Sequence, residues 1–280
     1  MTSTLAWSAG PGRLPGLPLS LGLTLAWLGG LVLLPLCALL ALALQTDPAT
    51  WLDTLLEPRT LAACRLSLGS ALLSAVIDTS AGLAIAWALT RTQFPLRGFV
   101  DAAIDLPLAL PTAVAGISLG AVYGSRGVLG GWLESHGMKV IYSQAGIVLA
   151  MMLVNLPFAV RPIQAVLRKL DPHAEEAAVS LGGSRWRAFR TVVLPALRPA
   201  LATAFALTFA NSVGEYGSVI FVASNLPGRS EIAPLLIMTR LEEFDYAGAA
   251  AIAIFLLAAS LAVLITVTTL QARGKLEGSA

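Results

Sequence analysis

Long apolar runs separated by short charged segments dominate this sequence. A membrane-spanning helix needs about 20 mostly apolar residues to cross the hydrocarbon layer, and six stretches are long enough. Each stretch is predicted to be helical, because the bilayer core has no water to satisfy backbone groups. The stretches run approximately from Leu19 to Leu44, Leu61 to Thr90, Phe99 to Tyr123, Gln144 to Leu167, Pro199 to Ala223 and Tyr246 to Leu270. The pattern predicts an all-α, polytopic membrane protein with six transmembrane helices.

The composition agrees with this pattern and excludes several other classes. Of 280 residues, 56% are hydrophobic and 12% are charged, which is about half the charged fraction of a typical soluble domain. The net charge of +2 gives no indication of nucleic-acid binding. Cys37 and Cys64 lie in or beside apolar runs, and His136 and His173 lie in different loops. We therefore expect neither a disulfide framework nor a metal site.

The first apolar run has two interpretations. Arg13 precedes it and Ala41-Leu42-Ala43 lies near its end, as in a cleavable signal peptide. The apolar core of a signal peptide is only about 7–15 residues long, whereas this run is much longer. We therefore expect a retained membrane helix.

Basic residues in the short loops predict the orientation, because Lys and Arg are enriched in cytoplasmic loops. With the N-terminus inside, the cytoplasmic segments contain most of the basic residues. These are Arg13, Arg91, Arg97, Arg168, Lys169, Arg185, Arg187, Arg190, Arg198, Arg273 and Lys275. The opposite loops contain Arg59, Arg126, Lys139, Arg229 and Arg240, mixed with acidic residues. We expect one membrane domain over residues 1–280, with cytoplasmic tails at about 1–18 and 271–280.

The longest cytoplasmic loop, about 168–198, is predicted to begin with a short helix. Asp171 can cap this helix, and Pro172 suits its first position. Gly182-Gly183 can end it, because glycine readily adopts the left-handed conformation at a helix end.

A second short helix is predicted to follow in the same loop. Ser184 can cap it, and Pro195 is expected to interrupt it. The exposed part of the first helix is acidic and small at Glu176-Ala177-Ala178, which allows another protein surface to approach closely. From these residues alone, an amphipathic linker at the membrane surface, with Arg185 and Arg187 near acidic lipid, remains an equal alternative.

The same loop resembles the EAA loop of ABC-importer permeases. That pattern reads E-A-A, three residues, G, nine residues, I, one residue, L-P. The matching residues are Glu176, Ala177, Ala178, Gly182, Val192 in place of Ile, Leu194 and Pro195. The resemblance implies that this loop docks into a groove of an ATP-binding subunit and couples that subunit to transport.

Further segments are similar to permeases of sulfate and molybdate importers. They are residues 105–116, residues 214–221, residues 240–246, and Leu14-Pro15-Gly16 with the following residues 19–22. The last two resemble the T-type subunit of sulfate/thiosulfate importers. The resemblance implies a type I ABC-importer permease fold in a bacterial inner membrane. It implies transport of sulfate or thiosulfate, with molybdate, tungstate or another tetrahedral oxyanion as the alternative.

The resemblance also implies partners. Gly274-Lys275 lacks the spaced glycine and the following Ser or Thr of a P-loop, so ATP and Mg are expected on a separate subunit. We expect no cofactor on this chain and no enzymatic activity of its own. The implied partners are an ATP-binding dimer, a second W-type permease subunit, a periplasmic sulfate/thiosulfate-binding protein and the lipid bilayer, and no nucleic acid.

Polar residues and prolines within the spans are candidates for a translocation path. They are Asp78, Pro107, Pro111, Thr112, Asn211, Ser212 and Glu215. Each has a structural alternative, since such residues also pair helices or mark helix breaks packed against protein. For Arg65, Asp101 and Arg161 the structural alternative, pairing or reaching the interface, is preferred.

Two other classes of protein remain as alternatives. An ion-coupled secondary transporter is expected to have repeated halves and an ion site between broken helices, and neither is clear in this sequence. A membrane enzyme needs a catalytic constellation, and no plausible one appears.

Overall fold

The computed structural model describes residues 17–44 and 47–277, and these residues form helices and connecting turns without a strand. The predicted N-terminal tail with Arg13 and Leu14-Pro15-Gly16 lies outside the described residues, as do residues 278–280. The helical content confirms the predicted all-α class.

The helices and helical turns follow one another in this order. They are α1 (Leu17–Leu28), the π-helical turn π1 (Gly29–Leu33), α2 (Leu34–Leu44), α3 (Pro48–Leu56), α4 (Pro58–Arg91), α5 (Arg97–Ile104), α6 (Leu106–Ala109), α7 (Thr112–Tyr123), α8 (Gly130–Ser135), α9 (Gln144–Lys169), α10 (Pro172–Ser180), α11 (Arg185–Ala188), the π-helical turn π2 (Phe189–Val193), α12 (Leu194–Val213), α13 (Val219–Val222), α14 (Ala233–Glu242) and α15 (Tyr246–Glu277).

Within the described part of the chain, five helical stretches are long and apolar enough to cross a membrane. They are Leu19–Leu42, Pro58–Arg91, Gln144–Lys169, Arg185–Val213 and Tyr246–Gln271. They correspond to the first, second, fourth, fifth and sixth predicted spans.

The third predicted span, Phe99–Tyr123, is not one helix. It is divided into α5, α6 and α7, and α7 with 12 residues is only about 18 Å long. Leu110 is extended, with ψ of 136°, because the residue before a proline is sterically pushed out of the helical region. Pro111 then stands at the start of α7. The break expected from the prolines is therefore present.

The fifth span differs from the prediction at both ends. Its helix continues from π2 and ends at Val213 rather than at Ala223. Residues 214–218 are not helical, and the four-residue α13 follows them. This second break lies next to the first one in space.

The core is a bundle in which α4, α9 and α12 pack together and α15 covers one side. Ala86 and Leu89 of α4 share an apolar cluster with Val160 and Ile163 of α9. Gly82 brings these two helices close together, because a Cβ there would lie 3.0 Å from the backbone of Ala159. Small residues at such contacts let membrane helices approach closely.

The two helix breaks contact each other through glycines. A Cβ at Gly217 would lie 2.0 Å from Oγ1 of Thr112, and one at Gly116 would lie 2.3 Å from the carbonyl oxygen of Ser218. Such approaches exclude any side chain larger than hydrogen. The start of α7 and residues 214–218 therefore form one packed unit.

The contact between the breaks predicts the effect of a single methyl group. Gly116→Ala is expected to lower the free energy of unfolding by about 1–3 kcal/mol, because the added carbon overpacks the contact with Ser218. Thermal unfolding of the purified protein in detergent measures this effect.

The matched control is Gly120→Ala, one turn later in α7, where a Cβ would meet nothing within 4 Å. This change is expected to be neutral or stabilising, since alanine favours a helix interior over glycine by about 0.8–1 kcal/mol. Equal destabilisation by both substitutions would contradict the packing at Gly116.

Candidate functional site

The loop after α9 contains the predicted first helix, α10. Oδ1 of Asp171 accepts a hydrogen bond of 3.0 Å from the amide of His173, and Pro172 occupies the first helical position. The helix ends at Ser180, and Gly182 has a φ of +88°. The left-handed conformation at this position favours glycine because it has no Cβ. The predicted cap, first residue and stop of this helix are confirmed.

The second predicted helix begins as expected but continues further. Ser184 caps it, since its Oγ accepts a bond of 3.2 Å from the amide of Arg187. The interruption predicted at Pro195 is wrong, because α11, π2 and α12 form one continuous helical stretch. In the π turn just before Pro195, the amide of Leu194 bonds to the carbonyl of Phe189, five residues back. This wider turn accommodates the proline by rearranging the i−4 bonding that the ring would disrupt.

Arg91, the last residue of α4, holds α10 in place. Its Nε donates to Oε1 of Glu175 at 3.0 Å, and its Nη2 lies 2.8 Å from the same oxygen. Nη2 also donates to the carbonyl of Leu170 at 3.0 Å, just after the end of α9. Both side chains are largely shielded from solvent, so the pair is stronger than a typical exposed one. Arg91 therefore connects α4, α9 and α10.

This role of Arg91 was not predicted from the sequence, in which the residue is one of the basic residues expected on the cytoplasmic side. The available signal was its position: Arg91 ends a span, and Glu175 lies in the first turn of the only acidic helix in the loop.

The residues of the E-A-A pattern directly follow Glu175 on α10, and the first two of them are exposed. The Glu176 side chain is 70% exposed, and its contact is with Nδ1 of His173 at 3.2 Å. Ala177 is exposed and Ala178 is half-buried. Leu181, at the end of the helix, is 89% exposed. The helix thus presents one carboxylate, two small residues and one large apolar residue to a partner surface.

Aromatic side chains pack α11 and π2, which follow α10, against α4 of the bundle. The ring of Phe189 stacks on Trp186 at 5.5 Å and meets the edge of Trp87 at 5.4 Å. Val193 is fully buried.

A cavity of about 640 Å³ lies between α10, α11 and the end of α4, lined by residues that include Glu175, Glu176 and Arg185. Leu194 and Pro195, the last residues of the pattern, are half-buried in the helix above.

The candidate path residues at the helix breaks have defined contacts. Glu215 is buried, and its Oε1 accepts bonds of 2.9 Å from both the amide and the hydroxyl of Ser218. It thereby satisfies backbone at the start of α13. Thr112 contacts the segment at Gly217. Pro107 is half-buried and Pro111 is exposed at the break.

Asn211 and Ser212 share a polar cluster with Asn155 of α9. The amide nitrogen of Asn155 donates to the hydroxyl of Ser212 at 2.9 Å, and the amide of Asn211 donates to Asn155 at 2.6 Å. Ser212 and Asn155 are fully buried, whereas Asn211 is exposed. A polar side chain on an exposed face at this depth is costly against lipid. Among the candidate path residues, Asn211 is therefore the best placed to line a path or to contact a second protein.

Asp78 lies in the interior of the bundle rather than on an exposed face. It is 1% exposed, and the hydroxyl of Ser74 donates to it at 3.2 Å. It is one turn from Gly82, which contacts Ala159. Its position favours the structural alternative, and its role in a path stays a prediction.

Arg161 forms an ion-pair network, as preferred from the sequence. Its Nη1 lies 2.5 Å from Oδ1 of Asp101, and its Nη2 lies 2.5 Å from Oδ2 of Asp105. Arg168 reaches the other oxygen of Asp101 at 3.2 Å. The network ties α5 and α6 to the end of α9. Arg65 lies on an exposed face of α4.

Comparison with known proteins identifies similar sequences. Residues 79–274 match the family described as "Binding-protein-dependent transport system inner membrane component". The chain is 45% identical over 260 residues to the "Sulfate transport system permease protein CysT" of Escherichia coli (strain K12), covering 93% of this chain and 94% of that protein. It is 42% identical over 253 residues to a "Probable sulfate transport system permease protein cysT" of Nephroselmis olivacea, covering 90% and 89%.

Solved structures share the fold. A chain of a bacterial ABC transporter that imports the acidic polysaccharide alginate has a TM-score of 0.75 at 17% identity, covering 92% of this chain and 96% of that chain. The alginate transporter in complex with its pentasaccharide-bound periplasmic protein gives 0.76 at 17% identity, covering 92% and 94%. These structures support the predicted ABC-importer permease fold.

The contacts of Arg91 predict that its loss loosens α10. Arg91→Gln removes the guanidinium from Glu175 and Leu170, and charged hydrogen bonds of this kind contribute about 1.5–3 kcal/mol. The rate of tryptic cleavage within residues 168–187 is expected to rise by roughly tenfold or more, because local opening becomes easier.

The matched control is Arg97→Gln, which removes a basic residue near the same end of the molecule without touching α10. Its cleavage rate is expected to equal that of the unmodified protein. Unchanged cleavage in Arg91→Gln would contradict the anchoring role.

Proposed function

The chain belongs to the family of binding-protein-dependent transport system inner membrane components, and on this basis we propose that it is a membrane subunit of an ABC importer for sulfate or thiosulfate. It is a transport subunit and not an enzyme. The observation that carries the choice of substrate is the similarity to sulfate permeases over nearly the whole chain. Molybdate, tungstate or another tetrahedral oxyanion is the alternative substrate.

The proposed assembly follows from what this chain lacks. With no P-loop in the sequence, ATP and Mg belong to an ATP-binding dimer, and two docking loops are needed for its two subunits. A second, W-type permease provides the other loop, and a periplasmic binding protein delivers the anion. The chain lies in the inner membrane with both termini in the cytoplasm, as the basic residues indicate.

In the proposed mechanism, α10 transmits force. The exposed face with Glu176, Ala177 and Ala178 sits in a groove of the ATPase. When the ATPase dimer closes on ATP, the two docking loops approach each other and the membrane bundles open outward. Because Arg91 joins α10 to α4 and α9, displacement of the loop moves the bundle as a rigid body.

The membrane bundle itself supports a conduit rather than a tight anion site. Tight binding of a dianion calls for several cations or converging donors. Arg161 is engaged by two aspartates, and the carboxylate of Glu215 is directed at Ser218. The proposed path therefore receives its anion from the binding protein, which carries most of the selectivity.

The coupling assignment is tested by reversing one charge. Glu176→Lys is expected to leave membrane insertion intact but to reduce co-purification with the ATPase subunit and sulfate uptake by about 100-fold, as loss of a docking contact of about 2.8 kcal/mol would. Uptake of radiolabelled sulfate by proteoliposomes containing the complete importer measures this effect.

The matched control is Glu242→Lys, an exposed carboxylate at the end of α14, which is expected to keep co-purification with the ATPase subunit. Normal transport by Glu176→Lys would refute the docking role of α10. Uptake that persists without ATP and follows a proton gradient would instead favour an ion-coupled carrier.

A further inference from the structure

We propose that residues 184–191 form a binding site for the phosphate group of an anionic phospholipid in the leaflet that borders the coupling loop. The site is separate from the docking face of α10. Neither the proposed transport function nor the family resemblance requires it.

The site is a groove on the outer surface of α11 and π2. The groove has a volume of about 430 Å³ and is lined by Ser184, Trp186, Arg187, Arg190 and Thr191. The hydroxyls of Ser184 and Thr191 both bond to the backbone of Arg187, at 3.2 Å and 2.8 Å. These bonds fix the two hydroxyl groups, and the spacing of three and four residues puts the Arg187 side chain on the same side of the helix.

The groove carries positive charge that the described part of the chain does not neutralise. Neither Arg187 nor Arg190 forms an ion pair among the described residues, and no acidic residue lines the groove. The guanidinium carbon of Arg190 lies 5.9 Å from the ring centre of Trp186. Two like charges at this helical spacing repel each other, so a bound anion would relieve the repulsion.

The chemistry of the groove fits a phosphate. A guanidinium donates two parallel hydrogen bonds to phosphate oxygens, and it stacks on aromatic rings more readily than an ammonium does. The hydroxyl of Ser184 can donate a further bond. A carboxylate of a protein partner offers fewer acceptor oxygens to such a set of donors.

The position of the groove relative to the bilayer favours a lipid over the ATPase. The continuous helix Arg185–Val213 has 29 residues and is about 43 Å long, whereas the hydrocarbon layer is about 30 Å thick. The excess of about 13 Å corresponds to roughly nine residues. Because the far end runs into the packed break after Val213, this excess lies at the Arg185 end.

With this excess, Thr191 and Arg190 lie about 4–6 Å outside the hydrocarbon layer, within a headgroup layer of about 5–7 Å. Arg187 lies about 10 Å outside it, and its long side chain can reach back to the headgroups. Trp186 is 64% exposed beside Arg190, at the outer end of the groove. The cavity beside the docking face is lined instead by Glu175, Glu176 and Arg185. The two arginines of the groove and the docking face of α10 therefore serve different neighbours.

The test measures how much phosphatidylglycerol the complete importer retains. The complex is purified from membranes and exposed to mixed micelles that contain phosphatidylglycerol or phosphatidylcholine, and bound lipid is counted by native mass spectrometry. The double variant Arg187→Gln/Arg190→Gln is expected to lower the affinity for phosphatidylglycerol by about tenfold, with phosphatidylcholine binding unchanged. The charge-matched control Arg97→Gln/Arg198→Gln is expected to bind like the unmodified complex.

Three results would overturn the proposal. Equal loss in both double variants would mean that only net charge matters. Displacement of the lipid by millimolar inorganic phosphate would identify a free anion as the ligand. Retained lipid with loss of the ATPase subunit would assign the groove to the ATPase.

A second measurement keeps the proposal testable if the double variant fails to fold. In the unmodified importer, brominated phosphatidylglycerol is expected to quench tryptophan fluorescence more than brominated phosphatidylcholine does. This difference is expected to disappear in Trp186→Phe. Equal quenching by the two lipids in the unmodified importer would contradict a site for anionic lipid.

Discussion

A backbone amide or carbonyl inside the hydrocarbon layer must find its hydrogen bond within the protein, and the whole arrangement follows from this constraint. Of the six apolar stretches, the second, fourth and sixth satisfy it with continuous helices of the packed bundle. The third stretch is interrupted and the fifth ends at a second break after Val213, and the two breaks satisfy it by packing against each other. The carboxylate of Glu215 accepts hydrogen bonds from the amide and the hydroxyl of Ser218. Gly116 and Gly217 allow the two breaks to contact each other, because neither has a side chain. Broken helices survive here because each break is covered by the other.

The same bundle supports the loop that contains α10. Glu175 and Glu176 are neighbours on the helix and both line the cavity beside it, but Glu175 is held by Arg91, whereas the Glu176 side chain is 70% exposed. One carboxylate fixes the helix to the bundle and the next is free to meet a partner. The close contact of Gly82 with Ala159 packs α4 tightly against α9. In the proposed mechanism, a force on α10 is therefore delivered to both spans.

The sequence was sufficient for the features that local chemistry determines. Apolar length predicted six spans, and five of them contain a helix long enough to cross a membrane within the described residues. Asp171 and Ser184 predicted two caps and Gly182 predicted a helix end, because each of these features depends on neighbours in the chain. Pro111 likewise predicted a break.

The features that could not be predicted from the sequence depend on residues far apart in the chain. The ion pair of Arg91 joins residues 84 positions apart, and the contact of Gly217 with Thr112 joins two separate spans. The helix interruption predicted at Pro195 was wrong, because the residue types before it do not reveal the π turn that accommodates the proline. The functional roles of the path residues stay predictions, since Asp78 and Glu215 are positioned by contacts within the chain.

The side of the membrane on which α10 lies decides most directly whether this helix can dock on an ATPase. A cysteine is introduced at Ala177 in a protein whose Cys37 and Cys64 have been replaced by alanine, and membrane-impermeant maleimide is applied. If α10 docks on a cytoplasmic ATPase, labelling is expected in inverted membrane vesicles, with protection when the ATPase subunit is added back, and no labelling is expected in intact spheroplasts. Labelling of intact spheroplasts from outside would contradict it, because no cytoplasmic ATPase could then reach the loop.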